Sequence, residues 1–120
     1  MEISKRFQFD AAHFMPHAPD GHPYRQVHGH SFEAELTLVG EPAETTGWII
    51  DFDEIEQQIA AVRERLDHRL LNDIAGLETP TLERLTDWLW NELSTRLPGL
   101  SRICVSRPSI GQSCTRHAER

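Results

Sequence analysis

Two stretches of this chain alternate apolar and polar residues in the period of a β-strand, and both carry histidine on the apolar parity. In the stretch from Glu2 to His13, Ile3, Phe7, Phe9 and Ala11 share one parity, and Glu2, Ser4, Arg6, Gln8 and Asp10 share the other. Successive side chains of a strand point to opposite faces, so one face is expected to be buried, with His13 projecting from it at the strand's end. The stretch from His28 to Val39 repeats the scheme. His28, His30, Phe32, Ala34, Leu36 and Leu38 stand against Gly29, Ser31, Glu33, Glu35 and Thr37. Side chains two apart point the same way, so both histidines of His28-Gly29-His30 continue the apolar face.

Between these strands, residues 15–26 carry Pro16, Pro19, Gly21 and Pro23 and are expected to form a loop. After a turn over 41–47, Trp48 to Phe52 is expected to be a short strand. Asp51 followed by Glu54 has the form of a capping box, and Ile55, Ile59, Val62 and Leu66 then repeat at helical spacing. That helix ends in Asp67-His68-Arg69-Leu70-Leu71-Asn72. A second helix is expected from Thr79-Pro80, with Leu82, Leu85, Leu89 and Leu93 on its inner face and Pro98-Gly99 as its stop. Ile103, Val105 and Arg107 share a parity in a last strand, while Pro108 to Arg120 carries no legible pattern. The order predicts an α+β fold: an antiparallel four-stranded sheet with two helices packed on one face. A sheet left with one uncovered face commonly finds cover in an oligomer.

The length, 120 residues, is one domain's worth, so a single domain over 1–120 is expected. Nineteen acidic residues against twelve basic ones give a formal charge of −7, which argues against a nucleic-acid surface. No apolar run approaches the roughly 18 residues that span a bilayer, and Met1 is not followed by a basic-then-apolar leader, so no membrane partner is expected. Two cysteines, Cys104 and Cys114, are too few for a disulfide framework and suit a reducing cytoplasm. The unusual count is histidine: seven in all, five of them between His13 and His30.

Two histidines two apart on one strand face, with a third ending an adjacent face, can converge on one ion. Three imidazoles with a fourth position open describe a catalytic rather than a structural zinc site, so His13, His28 and His30 are the candidate ligands. Imidazole also suits other divalent metals. The plainer alternative is three hydrogen-bonded histidines on a partly buried face. His17 and His22, in the loop, are expected to be solvent-facing or lid residues.

The segments Phe9-Asp10-Ala11-Ala12-His13, Asp20-Gly21-His22 and His28-Gly29-His30-Ser31-Phe32 resemble the 6-pyruvoyltetrahydropterin synthase / 6-carboxytetrahydropterin synthase family. So do Thr46-Gly47-Trp48-Ile49-Ile50-Asp51-Phe52, the run Arg65 to Asp73, and Pro80-Thr81. The resemblance covers most of residues 3–105 in order. It implies a tunnelling fold whose subunits join their sheets into a barrel, usually a hexamer of two stacked trimers. It also implies zinc on His13, His28 and His30, a proton relay through Asp67 and His68, and a substrate-binding role for Thr81. The family's queuosine-pathway branch converts dihydroneopterin triphosphate into 6-carboxytetrahydropterin. Without the resemblance, Asp67-His68 is an ordinary helix end with a histidine suited to the dipole.

Two positions depart from the family pattern. The family's catalytic cysteine falls on Tyr24, replacing a thiol of pKa about 8.5 with a phenol of about 10. Tyr24 is then either a proton-transfer group assisted by the metal or a wall of the site. Cys114 is read as a plain thiol rather than a substitute. The family's pterin-anchoring glutamate falls at or near Arg107, a donor-only group that favours carboxylate or phosphate. Arg107 is either a pocket residue that binds substrate or a solvated strand end.

Three functions follow as expectations. The first is a zinc-dependent lyase acting on a small anionic metabolite, pterin-like or other, with Asp67, His68 and Tyr24 in the chemistry and Arg107 and Thr81 on the substrate. The second is an authentic 6-carboxytetrahydropterin synthase in which Tyr24 or zinc-bound hydroxide replaces the thiol. The third is a non-catalytic zinc- or ligand-binding oligomer.

Overall fold

The structure is a computed structural model, and it describes residues 1–119. Strands β1 (Glu2–His13) and β2 (His28–Val39) form a long antiparallel pair. Helices α1 (Phe52–Leu66) and α2 (Leu82–Leu93) follow, and then strands β3 (Leu100–Arg107) and β4 (Gln112–His117). The sheet runs in the order β1-β2-β3-β4, antiparallel throughout. Among the described residues no helix is long and apolar enough to cross a membrane.

The expected alternation sets the layers. Phe7, Phe9 and Ala11 of β1, Phe32, Ala34, Leu36 and Leu38 of β2, and Ile103 and Val105 of β3 form one buried face. Against it pack Ile55, Ile59, Val62 and Leu66 of α1 and Leu82, Leu85, Trp88, Leu89 and Leu93 of α2, all in one apolar cluster. The opposite face is polar: Arg6 reaches Glu35 at 2.7 Å, Arg102 reaches Glu35 at 3.4 Å, and Ser4 pairs with Thr37 at 3.1 Å. This is the four-stranded antiparallel sheet with two helices on one face that the sequence predicts.

Three boundary expectations are corrected. Residues 48–52 are not a strand: Trp48 is exposed, Ile49 and Ile50 are half-buried, and the Trp48 carbonyl accepts from Ala43 N–H within the turn instead of joining the sheet. The fourth strand is β4, in the stretch that carried no pattern. The second helix starts later than Thr79-Pro80, because Thr81 is its N-cap and accepts from Arg84 N–H at 3.2 Å. It also ends at Leu93, before Pro98-Gly99. Asp51 does cap α1, accepting from Asp53 N–H at 3.0 Å.

Gly99 serves the next turn. It lies at φ 90°, and a Cβ there would stand 2.7 Å from the Val39 carbonyl oxygen. Glycine alone lets the chain return this closely to β2 before starting β3.

Candidate metal centre and substrate cavity

The β1–β2 register places His13 opposite His28 and Ala11 opposite His30. Directly opposed residues bring their Cβ atoms to about 4.5–5.5 Å, so the three imidazoles meet on the core face. Their ring centroids are 4.5 Å (His13–His28), 4.9 Å (His13–His30) and 5.0 Å (His28–His30) apart. One nitrogen from each lies within 4.8 Å of the others.

Backbone carbonyls settle two tautomers. His13 Nδ1 is 3.2 Å from the Pro80 carbonyl oxygen and His28 Nδ1 is 2.8 Å from that of Gln26. A carbonyl only accepts, so each Nδ1 carries its proton and each Nε2 presents a lone pair. Those two Nε2 atoms are 3.0 Å apart. Two acceptors cannot satisfy one another, whereas a shared cation satisfies both. Imidazoles steadied through their second nitrogen by carbonyls are the usual supports of a metal. Tetrahedral zinc with bonds of about 2.0–2.1 Å sets its ligand nitrogens about 3.3–3.4 Å apart, close to this spacing. The donor set fits zinc or another borderline divalent ion.

Burial disfavours the charged form of two of the three imidazoles. His13 is 1% exposed, and burial pushes its pKa down to about 4, with the charges of His28, Arg107 and His30 adding and the Pro80 carbonyl opposing. His30 is also lowered, by burial first and then by Arg107 and His28. A neutral imidazole is the form that binds metal.

The histidines open into a cavity of about 750 Å³. The loop between β1 and β2 supplies Tyr24 and Val27 to its wall, the start of α2 supplies Thr81 and Glu83, and the β3–β4 turn supplies Arg107 and Gln112. Asp67 and His68 do not line it. They follow α1 at the outer edge of β1, where His68 N–H donates to the Asp10 carbonyl at 2.6 Å. His68 borders a separate depression with Asp10, Gly29, His30 and Ser31.

The pair itself is closely built. Asp67 Oδ1 accepts from Asp10 N–H at 2.9 Å, and its Oδ2 lies 3.1 Å from His68 Nδ1 and 3.2 Å from Arg63 Nη2. The Asp10 N–H, then the His68 hydrogen bond and the Arg63 charge, hold the Asp67 carboxyl below its ordinary value against a smaller opposing effect of burial. His68 adopts φ 59°, the left-handed region that costs a β-carbon-bearing residue roughly 1–2 kcal/mol. Its imidazole is largely exposed.

The match to known proteins decides the family. The model of the 6-pyruvoyl tetrahydropterin synthase family matches residues 2–119. The chain belongs to that family. It is 36% identical over 109 residues to the 6-carboxy-5,6,7,8-tetrahydropterin synthase of Synechocystis, covering 86% of this chain and 83% of the relative. It is 34% identical over 97 residues to the dihydroneopterin monophosphate aldolase of Pyrococcus furiosus, covering 81% and 78%. The 6-pyruvoyl tetrahydropterin synthase structure of Caenorhabditis elegans superposes with a TM-score of 0.86 at 20% identity, covering 99% of this chain and 96% of that one.

In this member of the 6-pyruvoyl tetrahydropterin synthase family, the two positions expected to depart from the family pattern, Tyr24 and Arg107, both lie in the cavity wall. Tyr24 lines the cavity and is 56% exposed; its ring is stacked on His28 with centroids 6.3 Å apart. His22 caps the short 3-10 turn 23–25, its Nδ1 accepting from Tyr24 N–H at 3.1 Å. His17 is exposed. Cys114 stands opposite Val105, half-buried against the core, and is not in the cavity wall. Arg107 is half-buried, with its Cζ 5.6 Å from the centre of the Phe32 ring. Its Nη1 donates to Gln112 Oε1 at 3.0 Å, and its Nε is buried with no partner among the described residues. A buried donor left unpaired costs roughly 1–3 kcal/mol.

The sequence reading missed Glu83 and Gln112. An acid in a helix's first turn looks like a dipole partner, and Gln112 begins a strand with no apolar parity.

Proposed function

We propose that this protein is a zinc-dependent lyase acting on a small anionic, pterin-like metabolite, with His13, His28 and His30 as the metal ligands. The facing Nε2 lone pairs of His13 and His28, beside His30 and open to the cavity, carry the reading. When bound there, zinc supplies Lewis acidity toward substrate hydroxyl or carbonyl oxygens.

The chain's own residues supply the rest. Tyr24 borders the cavity beside His28, where its phenol can exchange a proton with a substrate hydroxyl. Asp67 fixes the His68 ring through Nδ1–H, leaving Nε2 to take or give a proton. Because this pair faces outward beside the edge strand β1, an oligomer is the arrangement in which it reaches substrate held by another copy. Assembly by joining the sheets of neighbouring subunits into a barrel, as two stacked trimers, is part of the same proposal. Thr81, at the start of α2, shapes the wall next to Arg107.

The test is turnover by the zinc-loaded protein of dihydroneopterin triphosphate and, separately, dihydroneopterin monophosphate, with products identified by mass spectrometry. Cleavage of the side chain in either substrate is expected, and 6-carboxytetrahydropterin from the triphosphate would identify an authentic synthase. Stoichiometric zinc with no cleavage of either would leave a binding protein and reject the lyase.

A further inference from the structure

Arg107 ends β3 on the parity of Ile103 and Val105, which turns its side chain onto the face that carries the three histidines. The ring beneath it, Phe32, is two residues from His30, and those two rings lie 5.7 Å apart. The guanidinium therefore stands over the floor of the cavity, beside the metal ligands. Gln112, its partner across the β3–β4 pair, holds Nη1 and fixes the plane of the group. Among the described residues no carboxylate lies within ion-pair distance of it. Glu83 is near enough to act on it through charge, and both Glu83 and Tyr24 border the same cavity.

A guanidinium has five N–H donors and no acceptor, so a donor group of a ligand finds nothing to bind there. An oxyanion does, in forked geometry if it offers two oxygens. We propose that Arg107, oriented by Gln112, is a selectivity subsite for a carboxylate or phosphate group of the substrate. Glu83 is the opposing charge that limits how tightly anions are held. The proposal deepens the reading of this cavity as the substrate site and rests on it.

The experiment titrates zinc-loaded, full-length protein with inorganic phosphate and, separately, with acetate. Calorimetry and the ¹⁵N–¹H signals of arginine Nε are followed together, with the metal content of every sample measured. Saturable binding is expected, with one Nε–H signal shifting that is missing from Arg107→Gln, and affinity falling at least tenfold in that variant. Response to phosphate alone identifies a phosphoryl group, to acetate alone a carboxylate, and to both the shared chemistry.

Glu83→Gln, on the exposed side of α2, is expected to tighten binding severalfold, and it decides the question alone if Arg107→Gln fails to fold. Equal affinity in wild type and Arg107→Gln, no binding of either anion, or binding lost in His28→Ala but kept in Arg107→Gln overturns the subsite. Loss of zinc from the wild type with anion binding intact would overturn the metal reading and leave this one standing.

Discussion

His13 and His28 face each other across the β1–β2 pair with their Nε2 atoms 3.0 Å apart, each with its Nδ1 turned to a backbone carbonyl. The two rings are arranged for a third party. A ligand that binds only the folded state stabilises it by about 2.7 kcal/mol at a hundred times its dissociation constant. Zinc is accordingly expected to raise the melting temperature of the wild type and to leave that of His28→Ala unchanged. Thermal melts with and without a chelator, alongside zinc analysis, check this. A variant that keeps one zinc per subunit would remove His28 from the ligand set.

His68 separates function from stability. Asparagine tolerates the left-handed conformation better, so His68→Asn should be neutral or stabilising by up to about 1 kcal/mol. Turnover in the same variant should fall by about 10²–10⁴, the usual worth of a positioned acid–base group. Chemical denaturation and rate measurement on one preparation give both numbers. Full activity would return His68 to the role of a turn residue.

Asp67 makes a prediction in acid. Its folded pKa lies below the ordinary aspartate value, chiefly through the Asp10 N–H. The folded state therefore binds that proton less readily than the unfolded one. Its contribution is present above the unfolded carboxylate pKa and is lost as pH falls through the folded value. Asp67→Asn should flatten the acid limb of the stability curve below about pH 4 while changing its slope little near neutrality. Coincident acid limbs for the two proteins would contradict the assignment.

Gly99→Ala adds a Cβ against the Val39 carbonyl at a positive φ. The expected loss is roughly 1–3 kcal/mol, read from the urea midpoint. Gly111→Ala, also at positive φ but with open space around it, should cost less.

Much of this was written in the chain. The alternation in β1 and β2 set their buried face, and the shared parity of His13, His28 and His30 put the histidines on it. A single sequence could not say which residues sit opposite each other, yet that register is what closes the His13–His28 distance. Residues 48–52 looked like a strand because Trp48, Ile49, Ile50 and Phe52 are apolar, but Trp48 and Phe52 are both exposed. The reverse happened at β4: an edge strand reading Gln-Ser-Cys-Thr-Arg-His buries too little to leave a hydrophobic period. With β4 illegible, the Gln112 contact that orients Arg107 could not be foreseen. The Asp67-His68 pair was visible as residues, but its outward position depends on how the chain after α1 joins the edge of β1.

Thr81 stands in the cavity wall and also caps α2 through its side-chain oxygen. A replacement made to reshape the cavity there must retain a capping group or lose roughly 1 kcal/mol of helix stability. Val27 and Ile110 border the same cavity, are exposed, and carry no such second duty in the core. The wall thus has an adaptable side and a restrained one. Changes of substrate preference reached by stepwise mutation should begin on the loop and the β3–β4 turn, with the entrance to α2 the last part free to vary.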